Sequence, residues 1–309
     1  MKILVTGATG FIGSHCIPLL GEKGYEIHAV SSKNRGEGSG SHAVNWHQLN
    51  LFDLEKINMI MSDIKPTHLL HLSWYVVPGS SASSMDNYYW TQASMELLLQ
   101  FHKCGGKRVV MAGSSFEYDW NYGFCSEYIT PKRPSTFYGI CKNALQDVLS
   151  GYSERTGLSS AWARIFFLYG PNEHPDRLVP SVIRSLLQGQ PALCSHGNQI
   201  RDYLYVKDVA EAIIKLLDSD VVGPLNIGSG HPVYLKDIIL KIGEKIGREE
   251  LIKLGAIPSR PNDTRLVIAD TERLNNELGW TPRYDLDQGI DETIGWIKSQ
   301  MNLNGKTDG

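Results

Sequence analysis

The 309-residue sequence has few cysteines, no long apolar run and little net charge. Its five cysteines include no C-x-x-C pair, which argues against a disulfide framework or a zinc site and favours reduced thiols. No apolar run approaches the roughly 20 residues of a membrane helix, and the first residues lack the charged and apolar regions of a secretory signal. A formal net charge of −3 gives no electrostatic footprint for nucleic acid or an anionic membrane. The composition predicts a cytoplasmic protein that binds small molecules and no metal.

Short apolar runs alternate with segments of helical period over the first 165 residues. Strands that alternate with helices require right-handed crossovers, so the pattern predicts an α/β fold with a doubly wound parallel sheet. The predicted strands are 3–6, 26–30, 67–72, 107–112 and 160–165, and the predicted helices are 11–23, 86–104 and 138–156. Further along the chain we predict helices at 178–188, 209–218, 235–246 and 290–300, and strands at 201–206 and 224–227.

A glycine-punctuated turn follows the first predicted strand. In T-G-A-T-G-F-I-G, Gly7 permits a tight turn, Gly10 lets backbone N–H groups approach a pyrophosphate, and Gly13 allows a helix to pack against the strand. Phe11 and Ile12 lie between these glycines. At this place in a chain that alternates strands and helices, the spacing predicts a Rossmann-type dinucleotide site.

The glycine turn also suggests how the chain divides. We predict a dinucleotide-binding domain at 1–165 with returning elements at about 201–230, a smaller substrate-binding lobe over most of 166–300, and a flexible tail at 301–309. Residues 36–41 are rich in glycine and serine and are predicted to form a flexible loop, and 258–263 is predicted to form a loop with two prolines.

The end of the second predicted strand indicates which dinucleotide is bound. Enzymes that prefer NAD usually place an acidic residue here for the ribose 2′-hydroxyl. This chain has Ser31, Lys33 and Arg35 and no acid, a set that suits a 2′-phosphate. The expected cofactor is NADP; NAD and a solvated basic loop remain the alternatives.

Three Y-x-x-x-K matches offer a candidate for acid–base chemistry. Pro131 lies inside the match at 128–132, and the match at 203–207 lies in a predicted strand. Tyr138 and Lys142 alone fall one turn apart on a predicted helix, which Ser135 or Thr136 could cap. The lysine is expected to lower the tyrosine pKa, and Ser114 or Ser115, at a strand end, is expected to orient the reacting oxygen.

These motifs resemble the extended short-chain dehydrogenases/reductases, in their NAD-dependent epimerase/dehydratase branch. Further markers are H-L-S at 71–73, G-S-S-F-E-Y at 113–118, R-I-F-F-L-Y-G-P at 164–171 and R-D-Y-L-Y-V-K-D-V at 201–209. The resemblance covers nearly the whole chain and selects Ser114, with Tyr138 and Lys142, as catalytic. It implies that Asn50, Leu51, Leu72 and Ser73 line the cofactor site. It implies that the substrate is contacted by Ser115, Phe116, Phe167, Arg177, Arg201 and Arg260. Of these, Arg201 and Arg260 are expected to bind the pyrophosphate of the substrate.

Two departures from the family pattern bear on the reaction. Phe116 stands where 4,6-dehydratases carry a glutamate, and Phe167 stands where many relatives carry an asparagine. The segment 254–270 looks closest to reductases of CDP- or dTDP-4-keto-6-deoxyhexoses. The expected function is therefore reduction of the C4 ketone of a nucleotide-linked 4-keto-6-deoxyhexose. The alternatives are a 4-epimerase, a 4,6-dehydratase and a non-catalytic dinucleotide sensor. The resemblance also implies a homodimer formed through 86–104 and 138–156.

Overall fold

The computed structural model describes residues 1–32, 43–259 and 263–304, with side chains up to residue 302. The strands are β1 (Lys2–Thr6), β2 (Glu26–Ser31), β3 (Val44–Gln48), β4 (His68–His71), β5 (Arg108–Ser114), β6 (Phe124–Cys125), β7 (Ser159–Ile165), β8 (Phe167–Tyr169), β9 (Ala192–Leu193), β10 (Ile200–Tyr205), β11 (Gly223–Ile227), β12 (Pro232–Tyr234), β13 (Ile252–Lys253) and β14 (Leu266–Ala269). The helices are α1 (Gly13–Glu22), α2 (Leu54–Ile64), α3 (Asp86–Lys103), α4 (Phe137–Thr156), α5 (Leu178–Leu187), α6 (Val206–Leu217), α7 (Leu235–Ile246), α8 (Glu272–Asn276) and α9 (Leu286–Asn304).

The main sheet has seven strands in the order β11-β7-β5-β4-β1-β2-β3, and every neighbouring pair is parallel. The chain moves outward from β1 to β3 and then crosses back to β4 on the other side of β1. The carboxyl ends of β1 and β4 therefore flank the topological switch point, where ligands bind in open α/β sheets. The predicted doubly wound α/β fold is confirmed.

Helices cover both faces of this sheet, which explains why central strands such as β1 and β5 are buried along nearly their whole length. On one face α1 and α6 pack on the sheet around side chains such as Val5, Leu20 and Ile213. On the other face α2, α3 and α4 enclose a second core that includes Leu4, Phe101 and Trp162. The two layers hold the loops at the strand ends in fixed relative positions.

A second sheet follows the order β12-β10-β14-β6, with β8 paired to β10. Together with α5, α7 and α9 it forms a further apolar core. Of the predicted returning segment 201–230, α6 and β11 lie with the main sheet, whereas β10 lies in the second sheet. The domain division itself stays a prediction.

The last described residues of the chain are helical. Residues 301–304, predicted as part of a flexible tail, form the last turn of α9, because Met301 packs on the core of the second lobe. The predicted loop at 36–41 lies outside the described residues, as do 305–309. Among the described helices, none combines the length and apolar character needed to cross a membrane.

Candidate active site

The glycine positions of the turn leave no room for a side chain. Gly7 has a φ of +71°, and a Cβ there would lie 2.8 Å from backbone atoms of Leu72 and Ser73. A Cβ at Gly13 would lie 2.1 Å from the carbonyl oxygen of Gly7, so α1 packs directly on the turn. A close-packed turn that opens a helix at the switch point fits a dinucleotide pyrophosphate, as predicted for this segment.

Buried hydrogen bonds join the ends of β1 and β4. The Thr6 hydroxyl lies 2.6 Å from Nδ1 of His71 and accepts the backbone N–H of Ser73 at 3.3 Å. Nε2 of His71 lies 2.8 Å from the Ser94 hydroxyl on α3. Burial, with a smaller contribution from the Lys142 charge, lowers the pKa of His71 to about 3, so the imidazole is neutral and acts as a structural brace.

The other predicted cofactor residues lie around the same strand ends. Ser31 ends β2, and the side chain of Asn50 accepts the backbone N–H of Phe52 at 3.1 Å. Asn50 is exposed and Leu51 is buried, in the turn that precedes α2. Phe11 and Ile12 pack against the core of the second lobe. Lys33 and Arg35, the predicted partners of a 2′-phosphate, lie outside the described residues.

Tyr138 and Lys142 lie one turn apart on α4, as predicted. Thr136, one of the two predicted caps, accepts the backbone N–H of Gly139 at 3.1 Å and begins the helix. Nζ of Lys142 donates to the carbonyl oxygen of Ala112 at 2.8 Å and lies 3.7 Å from the ring centroid of Trp74. Lys142 is buried and reaches the end of β5, where the candidate serines are found.

The Ser114 hydroxyl lies close enough to the Tyr138 side chain to lower the pKa of the phenol. The geometry therefore brings the three predicted catalytic residues together, and Ser115, also buried, lies one step further on. Burial raises the pKa of Tyr138 to about 12, and the nearby Ser114 hydroxyl opposes this rise. Burial also lowers the pKa of Lys142 to about 7. The tyrosine pKa thus moves opposite to the predicted direction, because loss of solvation outweighs the favourable contacts.

The other two Y-x-x-x-K matches lie elsewhere. Tyr128 is 73% exposed, and Lys132 donates to Gln146 at 2.9 Å. Tyr203 belongs to β10, and Lys207 pairs with Glu292 at 2.5 Å. Neither match forms a tyrosine–lysine pair at the switch point.

Half-buried aromatic rings extend from Tyr138 towards the second sheet. The Phe116 ring packs edge-on against Tyr138 with centroids 5.9 Å apart and contacts Trp120 at 4.4 Å. Trp120 contacts Phe167 at 6.0 Å, which stacks on Tyr203 at 5.8 Å. We call Phe116, Trp120, Phe167 and Tyr203 the aromatic wall. Two predicted substrate residues, Phe116 and Phe167, thus belong to one continuous apolar surface.

The predicted cationic substrate residues lie at either end of this surface. Arg177 is exposed before α5, donates to the Val76 carbonyl oxygen at 3.3 Å, and its charge acts on Tyr138. Arg201 is buried, 5.5 Å from the Phe167 ring centroid, and pairs with Asp263 at 2.6 Å. Arg260 lies outside the described residues.

A polar cleft of about 610 Å³ opens beside the Arg201–Asp263 pair. It lies where the segment G-N-Q-I-R-D at 197–202, β12 and the residues before β14 meet. Its volume lies within the range typical of small-molecule sites. The lining residues are His196, Asn198, Gln199, Tyr234, Lys236, Ser259, Asp263 and Arg265.

Sequence reasoning missed three residues of this site. Trp74 directly follows the predicted Leu72-Ser73 pair and faces Lys142. Trp120 joins the two predicted phenylalanines. Glu117 lies within the quoted G-S-S-F-E-Y motif, and its carboxylate accepts the backbone N–H of Ser114. Proximity to a motif was the available signal in each case, but the contacts that give these side chains a role come from tertiary structure.

Comparison with known proteins shows which enzymes this chain resembles in sequence and in fold. Residues 3–228 match the sequence profile of the NAD dependent epimerase/dehydratase family. The chain is 27% identical to a dTDP-D-glucose 4,6-dehydratase of Mus musculus, over 97% of this chain and 90% of the relative. It is 26% identical to a CDP-abequose synthase of Salmonella typhimurium, over 94% and 97%. A Thermus thermophilus UDP-glucose 4-epimerase in complex with NAD has a TM-score of 0.84 at 26% identity, over 96% of this chain and 99% of that chain.

Proposed function

We propose that this chain, which belongs to the NAD-dependent epimerase/dehydratase family, is a nucleotide-sugar 4-ketoreductase. The chain is an NAD(P)-dependent enzyme of the extended short-chain dehydrogenase/reductase type. The proposed reaction is reduction of the C4 ketone of a nucleotide-linked 4-keto-6-deoxyhexose. The observation that carries the proposal is the Phe116 ring against Tyr138, where a dehydratase requires a carboxyl group.

In the proposed site, Tyr138 is placed to transfer a proton to the substrate oxygen. Tyr138 is a phenol at neutral pH, since burial holds its pKa at about 12, and a phenol can donate a proton to the alkoxide that forms at C4. Ser114 would hydrogen-bond the same oxygen, and Lys142 would hold the nicotinamide ribose and favour the developing phenolate. The bound cofactor supplies the hydride.

The aromatic wall favours reduction over the alternatives. Elimination of water across C5 and C6 needs a second acid–base pair, whereas at the position of the dehydratase glutamate the Phe116 ring packs against Tyr138 and in turn contacts Trp120. Epimerisation needs the keto sugar to turn over within the site, and a wall of packed rings opposes that rotation. A flat apolar surface suits a sugar that has lost its 6-hydroxyl.

We propose NADPH as the cofactor, with NADH as the alternative. The support is the residue at the end of β2, where Ser31 stands in place of an acidic side chain. A carboxylate there would repel a 2′-phosphate, whereas hydroxyl and cationic groups in the following segment can bind it.

We propose that the polar cleft beside Arg201 receives the nucleotide diphosphate. Lys236 and Arg265 line this cleft, and Arg201 lies behind Asp263 at its edge. Cationic side chains are suited to phosphate, and arginine can meet it with two parallel hydrogen bonds. Binding energy from the nucleotide would position C4 at Tyr138.

We further propose a cytoplasmic homodimer. All five cysteines are free thiols, which suits a reducing compartment. The helices α3 and α4 carry exposed apolar side chains, which suit an interface with a second copy of the chain.

The test is reduction of dTDP- and CDP-4-keto-6-deoxyglucose, followed by loss of absorbance at 340 nm with NADPH or NADH. We expect turnover with higher kcat/KM for NADPH, and Tyr138→Phe should lower it by about 10²- to 10⁴-fold. Tyr128→Phe, the exposed tyrosine of another Y-x-x-x-K match, serves as the control and should keep full activity.

Two results would overturn the proposal. Unchanged turnover in Tyr138→Phe would remove the phenol from the chemistry. Release of one equivalent of NAD from denatured, freshly purified protein, with no net oxidation of NADPH by the keto sugar, would establish the epimerase alternative.

A further inference from the structure

A buried carboxylate lies directly behind the candidate catalytic serine. Glu117 is 0% exposed, in the single helical turn after β5. One of its oxygens accepts the backbone N–H of Ser114 at 2.7 Å, while the Ser114 hydroxyl oxygen accepts the N–H of Phe116 at 3.3 Å. The reciprocal bonds form a capping box, so the conformation of Ser114 depends on where the Glu117 carboxylate is held.

Two side chains of β7 hold that carboxylate in place. Nε1 of Trp162 donates to both Glu117 oxygens at 2.9 and 3.0 Å, and Nε of Arg164 donates to the second oxygen at 2.7 Å. Every one of these partners is a donor, which suits an ionised carboxylate. A charged group at this depth is stable only when it is paired and fully hydrogen-bonded.

Gly113 makes this arrangement possible. A Cβ at Gly113 would lie 2.1 Å from Nε1 of Trp162, so the indole reaches Glu117 across a position that must lack a side chain. The strand register places Gly113 opposite Arg164 on β7. Gly113, Trp162, Arg164 and Glu117 thus form one packed, hydrogen-bonded cluster beneath the end of β5.

We propose that Glu117 is a positioning residue: its carboxylate, clamped by Trp162 and Arg164, fixes the backbone of Ser114 and places one buried negative charge beneath the Tyr138–Lys142 pair. The inference rests on the proposed function for the roles of Ser114, Tyr138 and Lys142, and is independent of which sugar is reduced. It assigns to Glu117 a part in the reaction without contact to the substrate.

The charges around Tyr138 and Lys142 agree with the proposed role of Glu117. The Glu117 carboxylate raises the pKa of both Lys142 and Tyr138, acting against burial at the lysine and with burial at the phenol. Among the described residues, the Arg177 charge also acts on Tyr138, and His71, which faces Lys142, is neutral. Glu117 therefore helps to keep the ammonium charged and the phenol protonated, which is the state that donates a proton to a reduced ketone.

The test measures the titration of Lys142 directly, so that it does not depend on turnover. Lysine labelled with ¹³C at Cε gives one resonance that disappears in Lys142→Arg, and its midpoint is followed by NMR in the wild type and in Glu117→Gln. We expect a midpoint near pH 7 in the wild type and a value lower by about one pH unit in the variant, because a nearby opposite charge has been removed.

Glu127→Gln is the matched control. Glu127 is also a buried carboxylate, 9% exposed, but it accepts the backbone N–H of Asn226 at 2.8 Å and does not act on Lys142. The Lys142 midpoint should be the same in this variant as in the wild type. An equal shift in both variants, or no shift in Glu117→Gln, would overturn the proposal.

A second readout uses turnover. Reduction requires the charged lysine, so kcat falls as pH rises through the Lys142 pKa, and in Glu117→Gln this alkaline limb should move down by about one pH unit with KM little changed. If Glu117→Gln does not fold because Arg164 is left unpaired, Glu117→Gln/Arg164→Gln replaces it, with a smaller shift in the same direction because the positive charge of Arg164 is removed as well. Absence of any reductase activity in the wild type would refute the proposed function, whereas the NMR midpoints would still decide the role of Glu117.

Discussion

At the scale of single residues, Trp74 contacts the candidate catalytic lysine, and its contribution to turnover can be tested by substitution. Its ring lies 3.7 Å from Nζ of Lys142 and 6.3 Å from the Tyr138 ring, and its indole N–H donates to the buried Asn87 at 2.8 Å. We expect Trp74→Ala to lower kcat about tenfold, since a desolvated cation–π contact contributes about 1–2 kcal/mol.

The control for Trp74 is its neighbour Trp90, which stacks on Trp74 at 6.3 Å and packs against Phe52. Trp90→Ala should lower the melting temperature comparably, because both substitutions remove a large half-buried ring. Steady-state kinetics and thermal unfolding of the two variants separate the contributions. Equal losses of kcat would reduce Trp74 to a packing role.

The candidate catalytic residues and Glu117 show how far the site could be predicted from the sequence. Tyr138 and Lys142 could be predicted because their relation is local, one helical turn, and because Thr136 caps that helix. Glu117 could not, since its clamp comes from Trp162 and Arg164, which are 45 and 47 residues away. The predicted direction of the Tyr138 pKa was wrong for a related reason: burial depends on the whole site, and a four-residue spacing carries no information about it.

At the level of elements, the contact between β1 and α1 depends on Gly13. A Cβ there meets backbone atoms of Gly7 and Ala8 at 2.1 and 2.8 Å, and backbone cannot yield as a flexible side chain can. We expect Gly13→Ala to push α1 away from the turn, to lower the free energy of unfolding by about 2–3 kcal/mol and to weaken NADPH binding more than tenfold.

Gly151→Ala is the matched control for Gly13→Ala. Gly151 lies inside α4, and a Cβ there meets nothing within 4 Å. Since alanine is the better helix former, this variant should be more stable by about 0.5–1 kcal/mol and should bind NADPH normally. Urea unfolding and fluorescence titration with NADPH measure both quantities. Wild-type affinity in Gly13→Ala would contradict the cofactor site.

Elements with a strong period were predictable, and those defined by distant pairing were not. The strands and helices of the first half follow buried apolar runs and helical spacing, apart from β3, α2 and β6, for which we made no prediction. β3 is an edge strand of sequence V-N-W-H-Q, so its mixed side chains give no apolar run. Short strands such as β6 and β14 pair across about half of the chain, which no local pattern reveals.

At the scale of the molecule, hydrogen bonds join the two sheets next to the candidate catalytic residues. The Tyr118 hydroxyl donates to Asn226 on β11 at 2.8 Å and accepts from Arg164 at 3.0 Å. The Asn226 amide in turn donates to the carbonyl oxygen of Cys125 on β6 at 2.8 Å. The cluster of Glu117, Trp162 and Arg164 beneath Ser114 is thus connected to the second sheet by hydrogen bonds. This connection keeps the distance between the Tyr138 hydroxyl and the aromatic wall constant.

The exposed apolar surface of α3 and α4 leads to the last prediction, a homodimer. Tyr88 and Tyr89 on α3 are 56% and 53% exposed, and Ile140 and Val148 on α4 are 50% and 41% exposed. Apolar side chains on two neighbouring helices favour burial against a second copy, as the family resemblance implies.

We expect light scattering after size exclusion to give twice the mass of the 34.5 kDa chain, and Val148→Glu to give monomers, because burying an unpaired carboxylate is strongly unfavourable. Leu240→Glu, at a 45% exposed position on α7, should remain dimeric. If the wild type is a monomer, or if both variants dissociate alike, α3 and α4 do not form the interface.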